Sequence, residues 1–383
     1  MIDSAIGCIY NGIMQSVVQS IAFVEKKRTY MANIRDVARK AQVHPSTVSR
    51  VFSGKASISE ATRKRVLDAA DDLGFQPNAI ARSLKTQKTH TIGMVVPHVF
   101  EGFFDDSFFP QIMRGMLDAA YQHQFRLILG GSQGYKDEIS QIREIMQSSQ
   151  ADGIVVMSSR LDVDTVDRLL DLETPFVLLG HPPTENHDDI SWVDADNMEA
   201  TRIAIEYLIS LGHTRIAYVG GDPKTLTTRE RQQAYEEVMR NAGLELNPKW
   251  IDYGYFDEPG GYTAVQRMKN LGNNTPSAYY AANDLMAIGI MRAISELGLS
   301  IPEEVSVMGT NNSYISQHTT PALTTVDVPY AEIGKKAVDL LITQITNLNG
   351  ATSSYLEDCQ LVVRASTGPA ARSDQPANAG RSH

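Results

Sequence analysis

The chain of 383 residues is long enough for two or three domains, and its 42% hydrophobic and 21% charged residues are typical of a globular protein. It has no apolar run of the ~18 residues that a membrane span needs, and its two cysteines exclude a disulfide framework and a zinc finger. The formal charge of −10 is unevenly distributed, because residues 31–90 carry 11 Lys and Arg against 5 Asp and Glu, whereas residues 91–383 carry 21 against 38. A basic segment attached to an acidic body favours a protein with a nucleic-acid-binding head.

Residues 1–30 form an N-terminal extension without the features of a secretory signal. Their apolar stretch begins with Asp3, has no basic residues before it, and is followed by the basic run Lys26 to Arg28. We therefore expect Met31 to be the natural start and residues 1–30 to be non-native or disordered. The lack of a signal and the low cysteine content also predict a cytoplasmic protein.

Residues 31–76 have the pattern of three short helices. Pro45 suits the first position of the second helix, where its missing N–H costs nothing. Ser59 is a candidate N-cap of the third helix, and Gly74 is placed where a helix ends. The apolar residues expected on the inner faces are Ile34, Val37, Ala38, Ala41, Val48, Val51, Val66, Leu67, Ala70 and Leu73.

Residues 77–90 are predicted to be a conditional helix followed by a polar linker. The segment from Pro77 to Lys85 is too short to be a stable helix alone in water. We expect it to be coil when free and helix when packed against a partner.

From residue 91 onward, apolar strand candidates alternate with amphipathic helices, and this alternation predicts parallel sheets covered by helices. The expected strands are Ile92–Val96, Arg126–Leu129, Gly153–Met157, Phe176–Leu179, Arg215–Val219, Trp250–Phe256, Ala278–Ala282 and Val305–Met308. The expected helices are Ile112–His123, Glu138–Ser148, Ala200–Leu211, Arg231–Ala242, Tyr262–Leu271 and Asp284–Leu297. A single hydrophobic core cannot accommodate this many strand–helix units. Residues 91–367 are therefore expected to form two similar lobes, with a cleft at the carboxyl ends of their strands. The small polar residues 368–383 are expected to be a disordered tail.

Three separate motifs resemble those of one known family. The run from Ile34 to Val43, with Ser46 to Val51, resembles the DNA-binding head of the LacI/GalR family of bacterial regulators, and Pro77 to Leu84 resembles its hinge helix. The runs 282–289 and 301–307 are similar to its effector-binding core. The resemblance implies an all-α helix-turn-helix head and an α/β core of two doubly wound parallel-sheet lobes, like that of periplasmic sugar-binding proteins.

The resemblance also implies which residues contact DNA. Pro45, Ser46 and Arg50 occupy the base-reading positions at the start of the second helix, and His44 before them is a further expected DNA contact. Family members often have Ser in place of His44 and a larger residue than Pro45. Short polar side chains that suit phosphate contacts, or that simply cap helices, are Asn33, Thr47, Ser49, Ser53, Ser59 and Thr62.

The hinge segment is expected to enter the minor groove of DNA. Leu84 would act as an apolar wedge that opens a base step, and Ala81 would allow the helix to approach closely. Asn78 and Lys85 complete the expected DNA contacts of this segment. The alternative is an ordinary linker.

For the effector site, the resemblance implies roles for Asp284, Arg231 and Phe256. Asp284 would accept hydrogen bonds from effector hydroxyls, Arg231 would bind the effector from a helix start, and Phe256 would stack on it. Their alternative roles are a helix cap, a solvated helix residue and core packing, respectively. Phe109 and Asn312 are further candidates.

Planar polar groups for hydroxyls and an aromatic side chain for an apolar ring face favour a sugar as the effector. The strings at residues 177–182, 193–197 and 309–313 look most like those of the maltose and α-glucoside branch.

These features predict a homodimeric transcriptional repressor of sugar-utilisation genes that binds a pseudo-palindromic double-stranded operator and is controlled allosterically by its effector. No catalytic motif, metal-ligand spacing or cofactor motif is present in the sequence, so neither an enzyme nor a cofactor is expected. One alternative is a catabolite-control regulator that binds a phosphorylated carrier protein. Another is a sugar-binding transport protein, although that would need export and no basic head.

Overall fold

A computed structural model describes the chain as two compact units, with the boundary in the sequence between Lys88 and Thr89. The described residues are 32–52, 58–75, 88–96, 106–131, 135–157, 163–172, 174–183, 189–347 and 352–371. The predicted N-terminal extension, hinge helix and residues 372–383 of the tail lie outside them. So do the predicted DNA contacts Ser53, Asn78, Ala81, Leu84 and Lys85.

The described residues of the first unit form a bundle of three helices, as the sequence predicts. Pro45 is the first residue of its second helix, and Ser59 caps its third. Its small core contains Val37, Val48 and Val66, all fully buried. The helices are α1 (Ile34–Lys40), α2 (Pro45–Phe52) and α3 (Glu60–Asp72).

One residue of the predicted inner face of α3 points the other way. Leu67 has 44% of its surface exposed, whereas Val66, Ala69 and Ala70 are buried. Neighbouring helical residues are about 100° apart, so a helix that buries positions 66, 69 and 70 turns position 67 towards solvent. The prediction of Leu67 as a core residue is therefore wrong.

The second unit contains two six-stranded sheets with helices packed on them. The strands are β1 (Thr91–Val96), β2 (Arg126–Gly131), β3 (Gly153–Met157), β4 (Phe176–Leu179), β5 (Trp192–Ala195), β6 (Ile216–Gly220), β7 (Ile251–Tyr253), β8 (Ala278–Ala281), β9 (Ser306–Thr310), β10 (Thr324–Asp327), β11 (Ser354–Glu357) and β12 (Gln360–Val362). The helices are α4 (Phe108–Gln122), α5 (Tyr135–Gln147), α6 (Val163–Leu170), α7 (Asn197–Ser210), α8 (Leu226–Asn241), α9 (Glu258–Met268), α10 (Asp284–Glu296) and α11 (Tyr330–Thr346).

The two sheets define two lobes with equivalent topology. Lobe 1 has the strand order β11-β5-β4-β3-β1-β2 and lobe 2 the order β12-β10-β9-β8-β6-β7. All neighbouring strands are parallel except β10 and β12. Strand order reverses at β1 in lobe 1 and at β6 in lobe 2, and such a switch point is where open α/β sheets bind ligands.

Side-chain alternation shows why lobe 1 is covered on both faces. Along β1, Ile92, Met94 and Val96 join one buried cluster, while Val95 joins another on the opposite face of the sheet. Successive strand residues point to opposite faces, so an almost continuous apolar strand requires helices on both sides. The predicted pair of doubly wound lobes is confirmed.

The chain passes between the lobes three times, after β5, after β10 and after β11. Each connection is short: the segments between the flanking elements are Asp196, residues 328–329 and residues 358–359. Such connections can act as a hinge, because a few residues at element ends can absorb a change in lobe orientation.

No helix among the described residues combines the length and apolar character needed to cross a membrane.

Candidate functional site

In the first unit, α2 presents a polar face opposite its buried valines. His44, Ser46 and Arg50 are exposed, whereas Val48 and Val51 are buried. Ser46 and Arg50 are four positions apart, so they lie on the same side of the helix. This arrangement places a hydroxyl and a guanidinium together near the start of the helix.

His44 has a structural role at the start of this helix. The backbone N–H of Ser46 donates to Nδ1 of His44 at 3.3 Å, and the Ser46 hydroxyl lies 2.8 Å from the same atom. The imidazole thus satisfies one of the backbone donors that a helix N-terminus leaves unpaired.

Two of the predicted phosphate contacts, Asn33 and Ser59, cap helices, and a third, Thr62, is a partner of the Ser59 cap. Asn33 Oδ1 accepts from the backbone N–H of Arg35 and of Asp36, at 2.8 and 3.3 Å. Ser59 Oγ accepts from the backbone N–H of Thr62 at 3.4 Å and lies 2.9 Å from its hydroxyl. Capping therefore accounts for part of this polar set, and their contacts with DNA stay a prediction.

In the second unit, polar groups of the two lobes meet at the carboxyl ends of the strands. Asp106, which precedes α4 of lobe 1, accepts hydrogen bonds from Nδ2 of Asn283 at 2.5 Å and from Nδ2 of Asn311 at 3.1 Å. Both asparagines belong to lobe 2. Burial raises the pKa of Asp106, although these amides and the Arg231 charge oppose that effect.

Arg231 lies in the same region, as its predicted role requires. Only 2% of its surface is exposed. Its Nε donates to Oδ1 of Asn197 at 3.1 Å, and its Nη1 donates to the carbonyl of Ala282 at 2.6 Å. The predicted start of this helix is wrong by five residues, because Thr225 caps α8 and Leu226 begins it.

Asp284 is not the helix cap, and its carboxylate is fully engaged. Asn283 caps α10, whereas Asp284 is its first residue. Asp284 Oδ2 accepts from the backbone N–H and the hydroxyl of Ser313 at 2.6 and 2.8 Å, and Oδ1 accepts from the hydroxyl of Thr325 at 2.7 Å. Burial raises the pKa of Asp284 to about 7. In this arrangement Asp284 joins α10 to the loop after β9, while Asn283 reaches the cleft.

The two further candidates, Phe109 and Asn312, lie beside the residues that face the cleft. Phe109 is 3% exposed and packs in the core, whereas its neighbour Phe108 lines the cavity between the lobes. Asn312 Nδ2 donates to Oδ1 of Asp327 at 3.1 Å, and Asn312 Oδ1 accepts from Nη2 of Arg364 at 2.6 Å.

Phe256 lies at the carboxyl-end edge of the lobe 2 sheet. Its backbone has a φ of 68°, which is unusual for a residue with a side chain. Its ring covers Gly221 so closely that a Cβ there would come within 1.9 Å of the ring, and its carbonyl accepts from Asn283 at 2.8 Å. The ring is partly buried, and stacking on a ligand stays a prediction.

The cavity between the lobes has walls from both of them. Lobe 1 contributes Phe108, His181 and Tyr330, and lobe 2 contributes Leu226 and Thr227. The Tyr330 hydroxyl also donates to Oδ1 of Asn311 at 2.9 Å.

Sequence reasoning missed five residues of this region, namely Asp106, Asn197, Asn283, Asn311 and Tyr330. Their one common signal is a position at or beside the end of a strand or the start of a helix.

Comparison with known proteins matches both units to the same class. Residues 33–78 match the model for bacterial regulatory proteins of the lacI family, and residues 205–367 match that of a periplasmic binding protein-like domain. The HTH-type transcriptional repressor PurR of Pasteurella multocida (strain Pm70) is 32% identical over 338 residues, which are 88% of this chain and 98% of that protein. The HTH-type transcriptional repressor CytR of Escherichia coli (strain K12) is 32% identical over 343 residues, 89% of this chain and 98% of that protein.

Solved structures are similar over the same range. A complex of the transcriptional regulator CelR with cellobiose has 29% identity and a TM-score of 0.68, over 88% of this chain and 99% of that one. The lac repressor dimer bound to operator and the anti-inducer ONPF has a TM-score of 0.79 over the same shares, and at 24% identity this likeness concerns the fold alone.

The fold and the two sites define a helix-turn-helix transcriptional repressor with a two-lobed sensor for a small molecule. The chain belongs to the LacI family of bacterial regulatory proteins. The family, the fold and the DNA-binding function predicted from the sequence are confirmed.

Proposed function

We propose that this repressor senses an uncharged sugar bound between its lobes and controls sugar-utilisation genes. The proposal rests on how the charged side chains around the cleft are paired with one another. Asp106 accepts from two amides and lies near the Arg231 charge, and His181 lies between the carboxylates of Asp194 and Glu230. The charged groups of the cleft are therefore already matched to one another.

This arrangement disfavours an anionic effector. A phosphate or carboxylate would have to enter beside Asp194, which lines the cavity, and near Glu230, which contacts the lining residue His181; like charges at short range are unfavourable. Sugar hydroxyls can instead exchange hydrogen bonds with the amides of Asn283 and Asn311 and with the hydroxyl of Tyr330. The similarity to CelR, whose solved structure is a complex with cellobiose, also supports a sugar.

A thermal-shift series tests this choice of effector. The probes are cellobiose, maltose, ribose, glucose 6-phosphate and adenosine. A neutral sugar present at 100 times its Kd should stabilise the protein by about 2.7 kcal/mol, and the phosphorylated sugar should not. Stabilisation by glucose 6-phosphate alone, or by adenosine alone, would overturn the proposal. A response to maltose but not to cellobiose would support the maltose and α-glucoside branch.

On DNA, we propose that α2 enters the major groove and that Pro45, Ser46 and Arg50 read base edges. Two copies of the chain would bind the two halves of a pseudo-palindromic operator. The exposed positions of Ser46 and Arg50 support this orientation of α2. Phosphate contacts are proposed for the short polar set Asn33, Thr47, Ser49, Ser59 and Thr62.

Other features stay predictions. They are the minor-groove wedge of the hinge segment, the cytoplasmic location and the lack of enzymatic activity. The relatives compared above are transcriptional repressors, which agrees with the last of these.

A further inference from the structure

The imidazole of His181 lies between carboxylates from different lobes. His181 follows β4 at the carboxyl end of the lobe 1 sheet. Its Nδ1 lies 2.9 Å from Oδ2 of Asp194 on β5 of the same lobe. Its Nε2 lies 2.5 Å from Oε1 of Glu230 on α8 of lobe 2. The ring therefore connects the two lobes beside the cavity.

This arrangement requires a protonated ring. A neutral imidazole has one N–H, so it can donate to only one of the two carboxylates, whereas an imidazolium donates to both. The two carboxylates outweigh partial burial and raise the pKa of His181 to about 10. The other neighbouring groups are the ring of Trp192, and Asn197, which donates to Glu230 and accepts from Arg231.

A metal ion is a poorer explanation of the same three side chains. Their ligand atoms lie within 4.8 Å of one another, as a metal site requires. However, the carboxylates contact different ring nitrogens, and a metal would have to displace a proton that both of them stabilise. The geometry fits a hydrogen-bonded imidazolium.

The link acts on the helix that carries the effector-site arginine. Glu230 and Arg231 are adjacent in α8, and residues 226 and 227 at the start of α8 line the cavity. We infer that His181 is the positioning residue that fixes α8 of lobe 2 against lobe 1. It thereby favours the lobe orientation in which His181 contacts Glu230, which we call closed. The inference does not depend on which effector binds.

The test measures the distance between the lobes in the full-length protein. Spin labels are attached to Glu144→Cys in lobe 1 and Lys269→Cys in lobe 2, and pulsed electron paramagnetic resonance measures the distance between them. The chain also carries Cys8→Ser, and it is mixed with an excess of unlabelled chain so that only distances within one chain are measured. Both labelled positions are exposed. Cys359 can remain, because it is buried and burial raises the pKa of its thiol to about 12.

His181→Gln should increase the ratio of open to closed molecules about tenfold or more, because a hydrogen bond between charged groups is lost. Glu230→Gln should have a similar effect, and the two changes together should add little. His181→Arg, which keeps a cation with several donors, should restore the closed state. The control is His123→Gln, since His123 pairs with Asp339 at 2.8 Å within lobe 1, and it should leave the distance unchanged.

The pH profile separates this link from simple packing. Since its pKa is raised, His181 holds the lobes together at neutral pH and releases them as the pH rises through about 10. The wild type should therefore open in that range, and His181→Arg should not. The inference would be overturned if His181→Gln and His181→Arg opened the lobes equally and Glu230→Gln added its full effect to theirs. It would also be overturned if a metal chelator alone opened the wild type.

Discussion

Arg50 is the residue of the first unit that we propose as the main base reader. It is exposed on α2, one turn after Ser46, and its guanidinium can bind the O6 and N7 atoms of guanine with two hydrogen bonds. Arg50→Ala should weaken binding to the operator by about 1–3 kcal/mol, which is roughly 5- to 150-fold. Fluorescence anisotropy on an operator selected from genomic fragments measures this change.

The control for this prediction distinguishes base reading from simple charge. Arg240→Ala removes a cation from an exposed helix position in the second unit and should change operator binding little. If Arg50→Ala weakens binding to random DNA as much as to the operator, Arg50 contacts phosphate and does not read bases.

Glu138 gives a pH-dependent prediction. Its carboxylate is buried, has no hydrogen-bond partner in the described part of the chain, and burial raises its pKa to about 7. Because the folded state binds the proton more tightly than the unfolded state, wild-type stability falls as the pH rises from about 4.5 to about 7.

Glu138→Gln keeps the shape of the side chain and removes this titration. The stability of the variant relative to wild type should increase by about 2–3 kcal/mol between pH 4.5 and 8. Urea unfolding at several pH values measures the difference. A difference that does not change with pH would show that Glu138 is not buried as an unpaired acid.

At the residue scale, sequence patterns predicted effector contacts in segments that border the cleft, but they did not predict which residue of each segment contacts the other lobe. The predictions of Asp284 and Asn312 fall one position after Asn283 and Asn311, which contact Asp106. Asn311 has a φ of 103°, a conformation set by the fold. Side-chain direction in such loops follows backbone dihedrals, and periodicity carries no information about them.

At the element scale, each lobe contains one pair of helices that touch backbone to backbone through glycines. In lobe 1, a Cβ on Gly115 of α4 would come within 1.8 Å of the carbonyl oxygen of Ala331, and one on Gly334 of α11 would come within 2.3 Å of that of Ile112. In lobe 2, Gly289 of α10 is equally close to α9. Close-packed interiors leave no room for an added methyl group here.

Gly115→Ala should therefore destabilise the second unit by about 1–3 kcal/mol, although alanine has the better helix propensity by about 1 kcal/mol. Chemical denaturation followed by circular dichroism measures the loss. The matched control is Gly131→Ala at the end of β2, where a Cβ meets nothing within 4 Å. A stabilising effect of Gly115→Ala would mean that the helices can separate at no cost.

Among the described elements, the sequence predicted strongly apolar strands such as β3 and β4, but it missed several other elements, including the 17-residue helix α11. Gly153–Met157 and Phe176–Leu179 are strands with the predicted bounds, because all or nearly all of their residues are buried. The short strands β5, β10, β11 and β12 and the helices α6 and α11 were not predicted. β5 alternates partly buried and buried residues over only four positions, and β11 is mostly exposed, so neither has a strong pattern.

At the scale of the whole molecule, a repressor of this kind needs a second copy to read a two-fold symmetric operator. We expect the second copy to bind to lobe 1. Leu117 and Tyr121 lie four residues apart on α4, with 53% and 85% of their surfaces exposed. The edge strand β2, which contacts α4, exposes Leu129. Large exposed apolar side chains and an edge strand are typical of a subunit interface.

Replacing both Leu117 and Tyr121 by Glu places like charges on both sides of a two-fold interface, where each patch faces its own copy. The double variant should sediment as a monomer at concentrations at which the wild type is a dimer. Its affinity for a complete operator should fall to that of a single half-site, whereas sugar binding within each chain should persist. Leu170→Glu, at an exposed apolar position on α6 of the same lobe, should alter neither property. If the double variant remains dimeric, the two copies meet through another surface, and the exposed face of α4 needs a different explanation.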